Sequence, residues 1–190
     1  QKRFLKKLRA SIPKEPCVIG FMDESSPQMT ANSQRLWSFT KPSIVKNTTR
    51  MKANTFGFYS INGNSTIDFK KHSKKEDVCE FLEHIRNNNP SKKIILLIDN
   101  FRSHWANKTR EKAKELDISL VFLPPYSPDL NPIEFIWKSI KRIISAIFIE
   151  SVDHLKTVIR EAFIRLATSL SYAENWIDTF LDEEIKSRVH

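Results

Sequence analysis

The sequence has 190 residues, of which 40% are hydrophobic and 28% are charged, as expected for one folded domain with an ordinary polar surface. The net charge of +9 favours a polyanionic partner, with nucleic acid first, although a basic solvated surface without a partner is the alternative. No apolar stretch reaches the roughly 18 residues that a membrane span needs, so we expect no membrane association. The distant cysteines Cys17 and Cys79 exclude a zinc motif and a disulfide framework, and indicate buried thiols in a reducing compartment.

The first fifteen residues form a basic segment. Residues 1–10 carry five basic side chains, and Phe4, Leu5, Leu8 and Ile12 recur at helical spacing. We interpret residues 1–15 as a basic linker or helix that either contacts phosphates or packs on the edge of the domain. Residues 16–190 then form the domain itself. Because the sequence begins at Gln1 rather than Met, we treat it as a fragment.

Residues 16–69 predict three or more strands joined by short connections, as in an antiparallel meander. The apolar run 17–22 is typical of a central strand, with Asp23 at or near its end. The other predicted strands are residues 35–40, 55–61 and 65–69, with a turn signal at 62–64. Residues 41–52 contain four basic residues and no acid. They are either a loop that grips DNA or a partner subunit, or a long irregular hairpin.

After residue 70 the pattern changes to alternating helices and strands. Helices are predicted at 74–88 and at 103–116, the second with Ser103 as its N-cap. Strands are predicted at 93–98 and 118–123, and Asp99 ends the strand at 93–98. One mixed sheet with helices on both faces follows from this order. Two further helices, at 152–170 and 172–181, are expected to cover the sheet.

Residues 123–134 form a stiff connection between a strand and a helix. Four prolines lie between Pro124 and Pro132, and each restricts its own φ and the residue before it. We expect Asn131 to be the N-cap, Pro132 the first helical residue, and Glu134 to lie in the first turn of a helix over 132–148. Its apolar stripe is Ile133, Ile136, Trp137, Ile140, Ile143, Ile144 and Ile147.

The same helix has a polar flank made of Glu134, Lys138, Lys141 and Ser145. A carboxylate beside two lysines suits a face that binds a metal ion and neutralises phosphates. The alternative is a Glu–Lys pair on a solvated helix surface.

Three acids, Asp23, Asp99 and Glu134, follow strands or begin a helix, and such positions gather at the carboxyl edge of a parallel sheet. Adjacent strands lie about 4.8 Å apart, so Asp23 and Asp99 can share an ion if their strands are neighbours. Clustered carboxylates repel one another unless a cation joins them, and their hard oxygens suit Mg²⁺ or Mn²⁺. Two such ions about 4 Å apart can support phosphodiester displacement.

Several residues compete with these assignments. Each acid taken alone is more simply a turn or cap residue. Asp129 lies inside the proline connection, where it more simply caps a turn, and Glu24 should point to the opposite side of the strand from Asp23. His104 either contacts DNA, positions a water molecule, or is a buried or capping histidine.

Three ordered motifs resemble the catalytic domain of Tc1/mariner/IS630 superfamily transposases. They are Phe21-Met-Asp-Glu-Ser25, Leu97-Ile-Asp-Asn100 followed by His104, and Pro124-Pro-Tyr-Ser-Pro-Asp-Leu-Asn-Pro-Ile-Glu134 followed by Trp137. Asp99 and Glu134 enclose 34 residues, which is similar to the DD34E pattern of Tc1 and IS630 members. The resemblance spans residues 16–150.

The resemblance implies an RNase H-like α/β fold with a mixed five-stranded sheet, and Asp23, Asp99 and Glu134 as catalytic ligands of two Mg²⁺ or Mn²⁺ ions. It implies cut-and-paste transposition on transposon ends and a TA target, by a homodimer inside the cell. Members usually carry N-terminal DNA-reading modules, which this chain lacks. Two alternatives stay open: another RNase H-like nuclease or integrase, and a catalytically idle, host-adopted relative that only binds DNA.

Overall fold

The computed structural model describes residues 2–28, 39, 49–125 and 127–189. Five strands lie within these ranges: β1 (Cys17–Ser25), β2 (Thr55–Ser60), β3 (Thr66–Phe69), β4 (Lys93–Ile98) and β5 (Ile118–Phe122). They form one sheet in the order β3-β2-β1-β4-β5. β1 is antiparallel to β2, and β2 to β3, whereas β4 is parallel to both β1 and β5. The predicted mixed sheet is confirmed.

Helices cover both faces of this sheet, because each central strand is apolar on both sides. The helices are α1 (Lys2–Ser11), α2 (Lys75–Asn88), α3 (Arg102–Trp105), α4 (Asn107–Glu115), α5 (Ile133–Ser145), α6 (Val152–Ala167), α7 (Glu174–Phe180) and α8 (Glu183–Val189). One core contains residues of α1 and α5–α8 with Ile19 and Phe21 of β1; the other contains residues of α2 and α4 with Val18 and Met22. Among the described residues, no helix is both long and apolar enough to cross a bilayer.

The N-terminal helix belongs to the core. Phe4 and Leu8 are buried, and the Phe4 ring meets Phe180 of α7 edge-on with centroids 5.9 Å apart. Residues 1–15 were predicted as a linker or edge helix, and this packing makes α1 a structural part of the domain. Cys17 and Cys79 are buried and form no disulfide, as predicted.

Two predictions for residues 35–52 lie almost wholly outside the described residues. These are the strand at 35–40, of which only Phe39 is described, and the basic segment at 41–52, of which residues 49–52 are described. Lys52 forms a single antiparallel bridge with Gln28, close to the end of β1.

The predicted helix over 103–116 is wrong in one respect, because it is broken into α3 and α4. Ala106 has an extended conformation (φ −56°, ψ 140°), and the carbonyl of Ser103 accepts a hydrogen bond from the Thr109 hydroxyl at 2.7 Å. Phe101, rather than Ser103, is the residue before the first turn. Tertiary contacts of His104 and Trp105 hold α3 in place, and they override the continuous helical pattern.

Helix α5 is shorter than predicted at both ends. It begins at Ile133, and Asn131 does not cap it: its side-chain Oδ1 is buried and has no hydrogen-bond partner among the described residues. The helix ends at Ser145, so Ile147 lies beyond it and is exposed. Ser145 is buried, with its hydroxyl donating to the carbonyl of Arg142 at 2.7 Å, and therefore does not share the exposed flank with the lysines.

Gly57 of β2 determines how closely α5 approaches the sheet. A Cβ atom at this position would lie 2.6 Å from Trp137 Cζ2 and 3.0 Å from Ile133 Cδ1, so only glycine leaves room for these side chains. Gly57 is also the β2 partner of Asp23 in the β1–β2 register. The first turn of α5 is thereby packed against the strand pair that carries Asp23.

Candidate active site

Asp23 and Asp99 lie on neighbouring parallel strands, as the site prediction requires. The β1–β4 register pairs Phe21 with Leu97, so Asp23 and Asp99 are each two residues further along. Phe21 and Leu97 belong to the core beneath α5, and the period of two in a strand places both acids on that face. Asp23 is still within β1, which runs on to Ser25, whereas Asp99 follows β4 directly.

The proline connection brings Glu134 to the same place. A cavity of about 430 Å³ is lined by Asp23, Asp99 and Glu134, together with Asn131, Phe101 and prolines of the connection. Glu134 lies in the first turn of α5, whose buried stripe of Ile133, Ile136, Trp137, Ile140 and Ile144 fixes the helix on the sheet. Three separated acids therefore share one cavity.

Asp23 is the most deeply placed of the three, with 8% of its surface exposed. Burial, followed by repulsion from Glu134, Glu24 and Asp99, holds the pKa of Asp23 well above its usual value. A buried carboxylate surrounded by other carboxylates is electrostatically unfavourable unless a cation or a proton is bound. The site is therefore arranged to take up positive charge.

Glu134 lies at the edge of the cavity with a lysine beside it. Burial raises the pKa of Glu134, Lys141 lowers it, Asp99 raises it again, and the pKa is raised overall. A second, smaller cavity of about 260 Å³ is lined by Glu134, Lys138, Lys141, Phe135 and Asp129. The two lysines thus flank Glu134 as predicted, and Lys138 is exposed.

A histidine joins two of the acids. His104 is fully buried, with Nδ1 2.7 Å from Asp99 Oδ1 and Nε2 3.1 Å from Glu24 Oε1. Burial alone would lower the pKa of His104, but the hydrogen bonds and charges of Asp99 and Glu24 raise it to about 9. At neutral pH both ring nitrogens therefore donate, one to each carboxylate.

The His104 bridge also defines how Asp99 is held. Burial would raise the pKa of Asp99, but hydrogen bonds to Oδ1 from His104 and from the backbone N–H of Phe101 (2.9 Å) lower it. Asp99 is therefore ionised and held through a single oxygen. Because His104 has no exposed surface, it cannot contact DNA in this conformation, and the buried alternative describes it.

The donor set fits a hard divalent cation. The cavity carries three carboxylates and the buried Oδ1 of Asn131, which no described residue contacts by a hydrogen bond. Oxygen ligands of this kind suit Mg²⁺ or Mn²⁺. Among the described residues, no three His, Cys, Asp or Glu side chains stand at the spacing of a formed metal site. Binding one ion to all three acids therefore requires their mutually repelling side chains to draw together.

Sequence reasoning named the three acids that share the cavity, but it did not foresee the contact between Glu24 and His104. Glu24 does leave β1 on the opposite side from Asp23, as predicted, but there it contacts His104 instead of solvent. A signal was present, since an Asp-Glu pair ending a strand offers one carboxylate to each face. Asp129 does not line the three-acid cavity, and it shares only the smaller cavity with Glu134.

A family model of DDE superfamily endonucleases matches residues 18–156, which contain all three acids. A comparison of the sequence with curated proteins gives no match.

Solved structures of Mos1 transposase share the fold. The Mos1 paired-end complex with the left transposon end matches with a TM-score of 0.62 at 15% identity, over 98% of this chain and 59% of that one. The Mos1 mariner paired-end complex with Mn matches with a TM-score of 0.64 at 18% identity, over 98% of this chain and 60% of that one. The Mos1 catalytic domain with Raltegravir and Mn matches with a TM-score of 0.62 at 15% identity, over 100% of this chain and 90% of that one. This chain thus spans about three fifths of the Mos1 chains in the DNA complexes and most of the Mos1 catalytic domain, and its mixed five-stranded sheet is the predicted RNase H-like fold.

Proposed function

The chain belongs to the DDE superfamily of endonucleases, and from that membership we propose that it is the catalytic domain of a DNA transposase. One observation carries the proposal: Asp23, Asp99 and Glu134, from three separate parts of the chain, line one cavity at the carboxyl edge of the parallel strands. The motifs around these acids resemble the Tc1/mariner/IS630 group, of the DD34E type, and Mos1, a mariner transposase, shares the fold.

We assign Asp23, Asp99 and Glu134 as catalytic residues that hold two Mg²⁺ or Mn²⁺ ions. The Mos1 structures with Mn and with Mg support this choice of metal. When bound, the ions activate an attacking hydroxyl and stabilise the leaving oxygen. The protein contributes a rigid strand for Asp23, a fixed rotamer for Asp99 through His104, and a stiff proline connection for Glu134.

The reaction is cut-and-paste transposition. Water attacks a phosphodiester at the transposon end, and the freed 3′-hydroxyl then attacks target DNA, with TA as the expected target dinucleotide. A homodimer on paired ends inside the cell fits this reaction, and the Mos1 paired-end complexes are consistent with it.

Two other functions make different predictions. A nuclease or integrase of the same fold would cut without the transposon-end joining reaction, and the proline motif with its 34-residue spacing disfavours it. An idle DNA-binding relative would do neither, and three intact acids disfavour that alternative.

Strand transfer by the full-length protein distinguishes these functions. The assay supplies a labelled transposon-end duplex and a TA-containing target plasmid, with Mg²⁺, with Mn²⁺ and with a chelator. A transposase produces both nicked ends and joined products with either ion and neither with the chelator. Cleavage without joining would identify a nuclease, and binding without cleavage would identify an idle relative; either result would refute the proposal.

Lys138 and Lys141 are expected to neutralise phosphates beside Glu134. Replacing both with alanine should reduce the slope of log K against log salt for duplex binding by about 2, since each phosphate contact contributes about 0.9. The slope is measured by fluorescence anisotropy across a salt series. Lys156→Ala on α6 is the matched control. The ammonium of Lys156 lies 3.7 Å from Asp153 Oδ1, and neither residue lines the cavity. An unchanged slope in the double variant would leave both lysines as ordinary surface residues.

A further inference from the structure

A groove next to the catalytic cavity exposes two aromatic rings that the chemistry described above does not use. Phe101 is 50% exposed and Trp105 44% exposed, and both line a groove of about 720 Å³ over α3 and the start of α2. We call this the α3 groove, defined by Phe101, Trp105, Lys74, Lys75 and Arg102. Phe101 also lines the catalytic cavity, so the two spaces lie on either side of this one residue.

The aromatic rings are held in place by the residues around the catalytic acids. The backbone N–H of Phe101 donates to Asp99, and its ring meets His104 edge-on at 5.9 Å between centroids. Trp105 stacks on Phe122 with ring centroids 4.0 Å apart and an interplanar angle of 15°, and its Nε1 donates to Asn100 at 3.1 Å. Two large apolar surfaces are therefore presented to solvent in fixed positions, an arrangement typical of a binding surface.

The charge of the α3 groove favours a polyanion. Lys74, Lys75 and Arg102 are exposed, and none of them forms an ion pair within the described part of the chain. Glu76 is the one acid among the described lining residues, and it lies 3.5 Å from Lys108. Aromatic faces between unpaired cations match the stacking bases and the backbone phosphates of a single nucleic acid strand.

We propose that the α3 groove binds unpaired nucleotides of the DNA strand whose phosphodiester occupies the catalytic cavity. In a duplex the base faces are covered by their neighbours, whereas an unpaired base can place its face on Phe101 or Trp105. The groove thus binds the separated strand end next to the bond that is cut. This inference rests on the proposed DNA-cutting function, because the cavity must hold the same DNA.

The test compares two DNA molecules that differ only in a short single-stranded extension. Both are bound to the full-length protein in chelator, so that no cleavage occurs, and affinity is measured by fluorescence anisotropy. The extension carries 2-aminopurine, whose fluorescence falls when it stacks on an aromatic ring. The wild-type protein should bind the extended duplex more tightly and quench the probe. Phe101→Ala should lower the affinity for the extended duplex about tenfold relative to the affinity for the blunt duplex, and it should remove the quenching.

Controls separate stacking from other causes. Phe148→Ala removes an equally exposed phenylalanine outside the groove and should change neither quantity. Phe101→Trp should preserve both, since tryptophan also offers a stacking face. Equal binding of the two duplexes by the wild-type protein would overturn the inference alone, whereas no binding of either would overturn the proposed function too. If Phe101→Ala instead changes the oligomeric state in sedimentation, the groove is a protein interface and the inference is wrong.

Discussion

Asp23→Asn is expected to abolish cleavage and at the same time make the metal-free protein more stable. Asparagine is nearly isosteric, but it removes a buried negative charge that burial, Glu134, Glu24 and Asp99 all disfavour. The rise in melting temperature without divalent ions should be on the order of a few degrees. Activity should fall by roughly a thousandfold or more, because a catalytic ion supplies several kcal/mol and 1.36 kcal/mol corresponds to a factor of ten.

Added Mn²⁺ should reverse this order of stability. Ligand binding to the folded state stabilises the wild-type protein by about 2.7 kcal/mol at a free concentration of 100 times Kd. The variant lacks one of the proposed ligands and should gain much less. Differential scanning calorimetry with and without Mn²⁺ measures both effects, and Asp129→Asn is the matched control because Asp129 lies outside the three-acid cavity. An Asp23→Asn protein that gains as much as wild type from Mn²⁺ would refute Asp23 as a ligand.

His104→Ala is expected to destabilise the metal-free protein by about 3 kcal/mol, the lower end of the usual cost of removing one partner from a buried charged network, because the Asp99 side chain is 48% exposed. Asp99 and Glu24 would then lose the cation that both contact. The milder His104→Gln retains one donor, and its turnover with metal should fall by about 10–100-fold, as for other residues that orient metal ligands. Urea unfolding and single-turnover cleavage measure the two effects.

The same histidine makes stability depend on pH. Its pKa is about 9 in the folded protein against 6.5 for the ordinary side chain, a difference worth about 3 kcal/mol. A raised pKa means that this stabilisation is complete below pH 6.5 and is lost as the pH rises through about 9. Urea unfolding of the metal-free protein at several pH values in this window should show the decrease.

A matched comparison isolates the contribution of His104 from the other groups that titrate at alkaline pH. The His104→Gln variant should lack the fall in unfolding free energy that His104 causes between pH 6.5 and 9. The His72→Gln variant, changed at an exposed histidine, should still show that fall. The doubly donating bridge would be contradicted if the difference in unfolding free energy between wild type and His104→Gln stayed constant from pH 6.5 to 9.

The sequence is most informative where local rules and tertiary structure agree. The apolar runs that became β1 and β4 predict buried strands, and the acids at their ends follow from strand periodicity. The proline connection predicts a rigid mount for Glu134, and Glu134 lines the same cavity as Asp23 and Asp99. Such features depend on a few neighbouring residues, so a sequence pattern is sufficient to identify them.

Features that depend on distant contacts were not predictable. The Glu24–His104 contact joins residues 80 positions apart, and nothing local to either residue specifies it. The break at Ala106 arises because His104 and Trp105 are bound to other elements, which a helical pattern does not reveal. Asparagine is a common N-cap residue, yet packing places the Asn131 side chain in the wall of the cavity instead.

The close approach at Gly57 connects backbone packing with ion preference. The absence of a side chain there lets Trp137 and Ile133 rest on the strand beside Asp23, so it sets the span between the carboxylates of β1 and α5. Mg²⁺ demands near-ideal octahedral bonds of about 2.1 Å, whereas larger ions accept wider and less regular shells. If the three acids hold the ion as proposed, Gly57→Ala is expected to widen that span and to favour Mn²⁺ over Mg²⁺, which calorimetric titration with each ion would measure.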